Sequence, residues 1–271
     1  MIILVILLIL ALLYVLSLMG RHGKPEMEAL KKWRYAHRGL HSPGVPENSM
    51  AAFRAALEKG YGIELDVHLL KDGSLAVIHD SDLKRVTGQT GFVEDLTAEE
   101  LTNYHLLGTE QTIPQFREVL ELFAGKAPMI IELKSFRGNH NALSERVCRE
   151  MEGYSGLYCM ESFDPYCVRW LYKNRPDIVR GQLSENFLKS KPAFSLPTRI
   201  MATFYLENFL THPDFIAYHF PDRKTLSNAL CRKLWGITGV SWTLRTREDY
   251  DAALAEGWIP IFEGFTPEAK A

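Results

Sequence analysis

Four short clusters carry side chains able to do chemistry: Ala36-His37-Arg38-Gly39, Ile63-Glu64-Leu65-Asp66-Val67, Ile78-His79-Asp80 and Ile130-Ile131-Glu132-Leu133-Lys134. Glu64 and Asp66 stand two apart in an apolar run, which on a strand points both carboxylates to one face. Like charges set among apolar neighbours repel each other and lose hydration, so they call for a cation. An exposed strand face, the plainer reading, does not suit Ile63, Leu65 and Val67. Glu132, in a second apolar run, could add a third oxygen, and an all-carboxylate set favours a hard divalent ion, Mg²⁺ or Ca²⁺, over zinc.

His37 and His79 are the candidate acid and base, since imidazole exchanges a proton near neutral pH. A single histidine is more often structural; two at separate strand ends beside paired carboxylates point to function. Arg38 and Lys134 add fixed positive charge at the same end, suited to phosphate oxygens, with an ordinary salt bridge as the plainer alternative. Together these residues read as metal-assisted phosphoryl chemistry with histidine acid–base help, in a phosphoester-cleaving or phosphate-binding protein.

Such residues need a frame that brings strand ends together. Short apolar runs predict strands at 34–37, 63–67, 129–133, 157–162, 178–182, 215–219, 238–243 and 258–262. Helical patterns fall between them at 49–58, 115–123, 143–151, 166–174, 222–234 and 248–256, with a further helical stretch near 198–210. Eight strands alternating with helices over about 250 residues fit a (β/α)8 TIM barrel. A hairpin around Lys71-Asp72-Gly73, followed by an irregular excursion over 81–112, makes a small insertion after the second strand. An open doubly wound sheet is the alternative, weakened by the lack of a glycine-rich loop after the first strand.

The 271 residues carry 31 Lys and Arg against 33 Asp and Glu, a net charge of −2, which argues against nucleic acid as a partner. Four scattered cysteines, Cys148, Cys159, Cys167 and Cys231, form no metal-binding spacing and are expected to be buried free thiols. Residues 1–19, MIILVILLILALLYVLSLM, contain no charge. As a helix they would extend roughly 28 Å, close to a ~30 Å hydrocarbon core, and they lack the basic start and small-residue cleavage site of a signal peptide. The expectation is a single-pass transmembrane anchor at 1–19, a basic juxtamembrane linker at 20–33 and a barrel domain at 34–271. Arg21, Lys24, Lys31, Lys32 and Arg34 outnumber Glu26 and Glu28 in the flank, which orients the catalytic domain toward the cytoplasm.

The stretch from Tyr35 to Gly88 resembles the opening of glycerophosphodiester phosphodiesterases. HRG, PENS, ELDVHLLKDG, VIHD and LKRVTG match in order, and IELK and ESFDP continue the series. The resemblance is dense over 34–135 and looser beyond. It implies a barrel, one divalent cation, and cleavage of glycerophosphodiesters to glycerol 3-phosphate and an alcohol. By motif, it implies His37 and His79 as the acid–base pair and Glu64, Asp66 and Glu132 as metal ligands. Arg38 and Lys134 would be phosphate contacts, and Trp242 and Phe163 substrate-lining aromatics. His41, His68 and His105 are left without a catalytic role, and Glu47 and Asn48 are expected to cap the helix starting near Ser49 and to brace the HRG loop. The carboxyl-terminal end departs from the family pattern: SWTLR is followed by IPIFEGF, with Glu263 where relatives carry Asp. This end shapes the substrate mouth. A lysophospholipase D acting on membrane lysolipids is therefore a second enzymatic expectation, and a catalytically silent, membrane-tethered binding barrel a third. No protein partner is implied.

Overall fold

Alternation of period two along the strands builds two apolar layers at once. The computed structural model describes residues 1–268, so the last three residues of the expected 34–271 domain lie outside the described residues. The strands are β1 (Tyr35–His37), β2 (Gly62–Leu69), β3 (Leu75–Val77), β4 (Met129–Leu133), β5 (Tyr158–Ser162), β6 (Arg180–Ser184), β7 (Phe215–His219), β8 (Thr238–Leu244) and β9 (Trp258–Phe262). All but β3 are parallel, and β1 pairs with both β2 and β9, which closes an eight-stranded barrel. This is the expected TIM-barrel fold. Tyr35, Ile130, Cys159, Phe215, Val240 and Ile261 form the interior layer. Their neighbours Ala36, Ile63, Leu65, Met129 and Ile131 pack outward with Phe53, Phe116, Val147 and Leu171 of the surrounding helices. Gly181 is required by that interior, because a Cβ there would stand 2.1 Å from the Phe215 ring.

The expected hairpin forms: β3 runs antiparallel to the end of β2. The excursion after it carries its own apolar cluster, including Leu83, Val86, Val93, Leu101 and Leu106. Boundaries differ from the sequence expectation in several places, three of them with a visible cause. β6 starts at Arg180 rather than 178, because the carbonyls of Pro176, Asp177 and Ile178 are taken by the side chains of Arg21 and Lys24. The two-residue shift keeps every side chain on its face. The stretch near 198–210 is two helices, Leu196–Thr203 and Asn208–Thr211. Tyr205 breaks them at φ 56°, buries its ring and donates its hydroxyl to the Ala217 carbonyl. The helix expected at 222–234 begins at Leu226, where the Thr225 hydroxyl accepts from Asn228 N–H.

The amino terminus requires a larger correction. The apolar run forms α1 (Ile2–Ser17), 16 residues long and so about 24 Å at ~1.5 Å per residue. No helix among the described residues is long and apolar enough to cross a membrane. The structure therefore gives the expected single-pass span no support. The helix stops because Leu18 turns into the protein, fully buried, its carbonyl accepting from Cys231 Sγ. The basic flank also has structural work. Arg21 pairs with Asp214 at 2.7 Å, and α2 (Pro25–Leu30) inserts Met27 and Leu30 into the interior layer at the start of the strands. All four cysteines are buried and free.

Candidate active site

The parity that packs the barrel interior also gathers the charged side chains. Near the start of the strands the inward positions are apolar; toward their C-terminal ends the inward positions become His37, Glu64, Asp66, Glu132 and Glu161. Strand register sets these side by side: His37 opposite Glu64, Asp66 opposite Glu132, Glu132 opposite Glu161. One ligand oxygen from each of Glu64, Asp66 and Glu132 lies within 4.8 Å of the others, all three residues being buried. Buried Asp66 Oδ1 has no hydrogen-bond partner. Three converging carboxylates with an unpartnered oxygen are a fitting donor set for a hard divalent cation.

Charge crowding shows in the acidities. Burial, then the charges of Asp66 and Glu132, push the Glu64 carboxyl well up. Burial likewise raises Glu132, though Lys134 works against it. For Asp66, burial is outweighed by Lys134, His79 and Arg38, which hold it well below the usual carboxylate range. Lys134 Nζ lies 3.0 Å from Glu132 and 3.6 Å from Asp66. Arg38 Nη1 lies 2.8 Å from Glu47, its Nε lies 3.5 Å from Asp66, and its backbone N–H donates to Glu64 at 3.1 Å. Both cations line the cavity and are already engaged with carboxylates, so they neutralise the acidic trio as well as facing any substrate. The turn after β1 that aims Arg38 inward needs positive φ at Arg38 (53°) and Gly39 (80°).

Each histidine is held from behind by a carboxylate that an arginine keeps ionised. His37 Nδ1 lies 2.5 Å from Glu263 Oε2, and Arg245 donates to both Glu263 oxygens. Burial raises the Glu263 carboxyl, but His37 and Arg245 outweigh it and hold it at about 2. Burial lowers His37 to about 4 despite Glu263. His37 is therefore neutral at pH 7. A carboxylate can only accept, so the proton sits on Nδ1 and Nε2 offers its lone pair 3.8 Å from Glu64. His79 repeats the pattern, with Nδ1 2.7 Å from Asp80, which Arg85 in turn bonds.

Sequence reasoning left Glu263, Asp80, Arg245 and Arg85 without roles, and Glu161 unremarked. The VIHD motif held the clue to Asp80; Glu263 stood out as a departure from the family pattern, but nothing local signalled its pairing with His37, 226 residues away. Asn48 and Glu47 do not cap the helix Met50–Glu58; Ser49 does, accepting from Ala52 N–H. Asn48 instead donates to Asp66 at 2.8 Å and to the Arg38 carbonyl, and Glu47 ties Arg38 to Arg85, so they brace the HRG loop. His68 is a buried brace between Glu94 and the His79 carbonyl.

The site opens into a cavity of about 1170 Å³. One wall is the ionic group, with His37, His79, Glu64 and Lys134; the other is apolar, with Phe163, Leu183, Phe187, Phe194, Met201 and Trp242. Phe163 and Trp242 meet edge to face at 5.6 Å.

Comparison with known proteins agrees with this architecture. Residues 37–183 match the glycerophosphoryl diester phosphodiesterase family. A glycerophosphodiester phosphodiesterase of Caldanaerobacter subterraneus subsp. tengcongensis is 33% identical over 232 residues, covering 82% of this chain and 89% of that protein. A human lysophospholipase D is 33% identical over 147 residues, covering 49% of this chain and 45% of that protein. Among solved structures, an Oleispira antarctica phosphodiesterase in complex with sn-glycerol-3-phosphate superposes with a TM-score of 0.72 at 20% identity, covering 90% of this chain and 95% of that one.

Proposed function

Because this chain belongs to the glycerophosphoryl diester phosphodiesterase family, we propose that it hydrolyses a glycerophosphodiester to glycerol 3-phosphate and an alcohol. The observation that carries the roles is the pair of carboxylate-backed histidines lining one cavity with Glu64 and Glu132, whose carboxylates converge with that of Asp66. Glu64, Asp66 and Glu132 would hold one divalent cation, Mg²⁺ or Ca²⁺, which when bound stabilises negative charge on the phosphoryl oxygens. His37, neutral with its Nε2 lone pair facing the cavity, takes a proton from the attacking water, whose oxygen bonds to phosphorus. The new P–O bond displaces the alcohol, whose oxygen takes a proton from His79. Glu263 and Asp80 keep the rings oriented, and Glu263 stabilises the imidazolium that forms on His37 while Asp80 holds His79 as the proton donor. Arg38 and Lys134 face the second negative charge that attack builds on the phosphoryl group. The complete set of acid, base and ligand candidates argues against a silent binding barrel.

A second reading is favoured by the apolar wall of Phe163, Phe187 and Trp242: the glycerol carries an acyl chain, as in the substrate of a lysophospholipase D, and the products are an acylglycerol 3-phosphate and the head-group alcohol. At about 1170 Å³ the cavity exceeds the ~300–1,000 Å³ of most small-molecule pockets. The test is product identification with glycerophosphocholine, with and without EDTA. Glycerol 3-phosphate and choline are expected, and lost on chelation. Unchanged turnover in EDTA defeats the metal role, and no turnover in Mg²⁺ or Ca²⁺ defeats the activity.

A further inference from the structure

The segment between β6 and β7 covers the cavity with helices Phe187–Ser190 and Leu196–Thr203. In the second helix, Thr198, Met201 and Ala202 line the cavity, a spacing that places them on one face. Leu196 and Ile200, one turn apart, lie on the opposite face and are 54% and 37% exposed. The helix is apolar on both sides, and nothing among the described residues covers the outer one. Phe194 lines the cavity and is 54% exposed, and its ring meets Phe187 at 6.2 Å, which in turn meets Phe163 at 6.0 Å, so apolar rings lead from the outside into the cavity.

α1 supplies the second observation. Its outer residues, from Ile2 through Leu13, are exposed and carry no polar side chain. Tyr14 interacts with Ser227, and one turn later Leu18 meets Cys231 one turn further along the helix Leu226–Lys233. The two helices therefore run in the same sense. Since the helix Leu226–Lys233 begins at the C-terminal end of β7, α1 projects from the end of the barrel where the cavity opens. Exposed Leu226 lies on the same side. A protein groove covers one face of a helix; one that is apolar all round needs a surrounding apolar medium. Residues 186–206 contain no carboxylate, and although Lys189 pairs with Asp222 at 3.0 Å, Lys191 and Arg199 add positive charge that suits anionic head groups.

We infer that this end of the barrel seats on a lipid bilayer, with α1 and the Leu196–Ile200 face entering one leaflet without crossing it, so that a single-chain phosphodiester lipid passes from the leaflet into the cavity. The inference rests on the phosphodiesterase reading. Its head-group phosphodiester reaches the histidines, and its chain lies along Phe194 and Phe187.

The test uses the full chain and the double variant Leu196→Glu/Ile200→Glu, neither residue lining the cavity. Two substrates are compared: glycerophosphocholine in solution, and lysophosphatidylcholine in phosphatidylcholine–phosphatidylglycerol vesicles. Two charges placed where aliphatic side chains meet lipid should lower vesicle turnover on the order of tenfold or more. Turnover of the soluble diester should be unchanged. Equal turnover of the vesicle substrate by variant and wild type overturns the docking surface, and so does an equal loss on both substrates, which would make the helix part of the chemical site. A wild type that cleaves the soluble diester but not the vesicle lysolipid overturns this inference and leaves the phosphodiesterase reading standing. A wild type inactive on both defeats that reading itself.

Discussion

Replacing Glu64 by Gln should make the metal-free protein more stable and at the same time remove its response to divalent ions. The carboxylate oxygens of Glu64, Asp66 and Glu132 lie within 4.8 Å of one another. At that distance and an effective dielectric of ~20, each like-charged pair costs about 3 kcal/mol. Glu64 faces two such pairs, and Arg38 offsets only part of them. Proton uptake by the raised Glu64 carboxyl relieves part of this, so up to about 3 kcal/mol is left uncompensated in the metal-free state. The neutral amide keeps an oxygen to accept from Arg38 N–H and removes that cost. For a chain of this size about 3 kcal/mol is a rise in Tm of roughly 6–12 °C. The assay is a melting curve in EDTA and in graded Mg²⁺ or Ca²⁺. Wild type should gain about 2.7 kcal/mol at a metal concentration ~100 times Kd, and the variant much less. A variant that melts at or below wild type in EDTA, yet gains as much from metal, refutes the account of three carboxylates held together for a cation.

Other expectations follow from the same geometry. His37→Ala and His79→Ala should each lose on the order of 10²–10⁴ in kcat with metal-induced stabilisation intact, and near-wild-type turnover of either removes it from the acid–base pair. Glu263→Gln keeps the reach to His37 Nδ1 but not the charge, so kcat should fall on the order of ten- to a hundredfold with little change in KM; an unaltered kcat means that Glu263 only packs. Glu207, whose buried Oε2 has no partner, is pushed up to about 7 by burial. Because the folded state favours its neutral form, wild-type stability should fall as pH rises from about 4.5 through 7, by about 3 kcal/mol in all. Glu207→Gln should flatten that slope, so denaturant midpoints of the two proteins should converge near pH 4.5 and separate by pH 8. Parallel pH profiles would contradict it.

How much of this was legible beforehand follows from the range of the interactions. Glu64 and Asp66 announce a shared inward face because the strand period is local, and the alternation of apolar strands with amphipathic helices declares the barrel for the same reason. Ordered motifs from HRG to IELK point to the family; the strand at 129–133 that carries IELK, and the strand at 215–219 that carries no motif, both form at the expected residues. Tertiary structure alone decided which charges meet. Glu263 reaches His37 only because β9 closes against β1. Arg21 reaches Asp214, 193 residues away, which turns an apparent membrane flank into a brace at the base of the barrel. The length of α1 was settled in the same way. Hydropathy counts 19 uncharged residues, but Leu18 is fully buried beside Cys231 and the helix ends at Ser17. Hydropathy measures how readily a residue leaves water, not whether lipid or the protein's own core receives it.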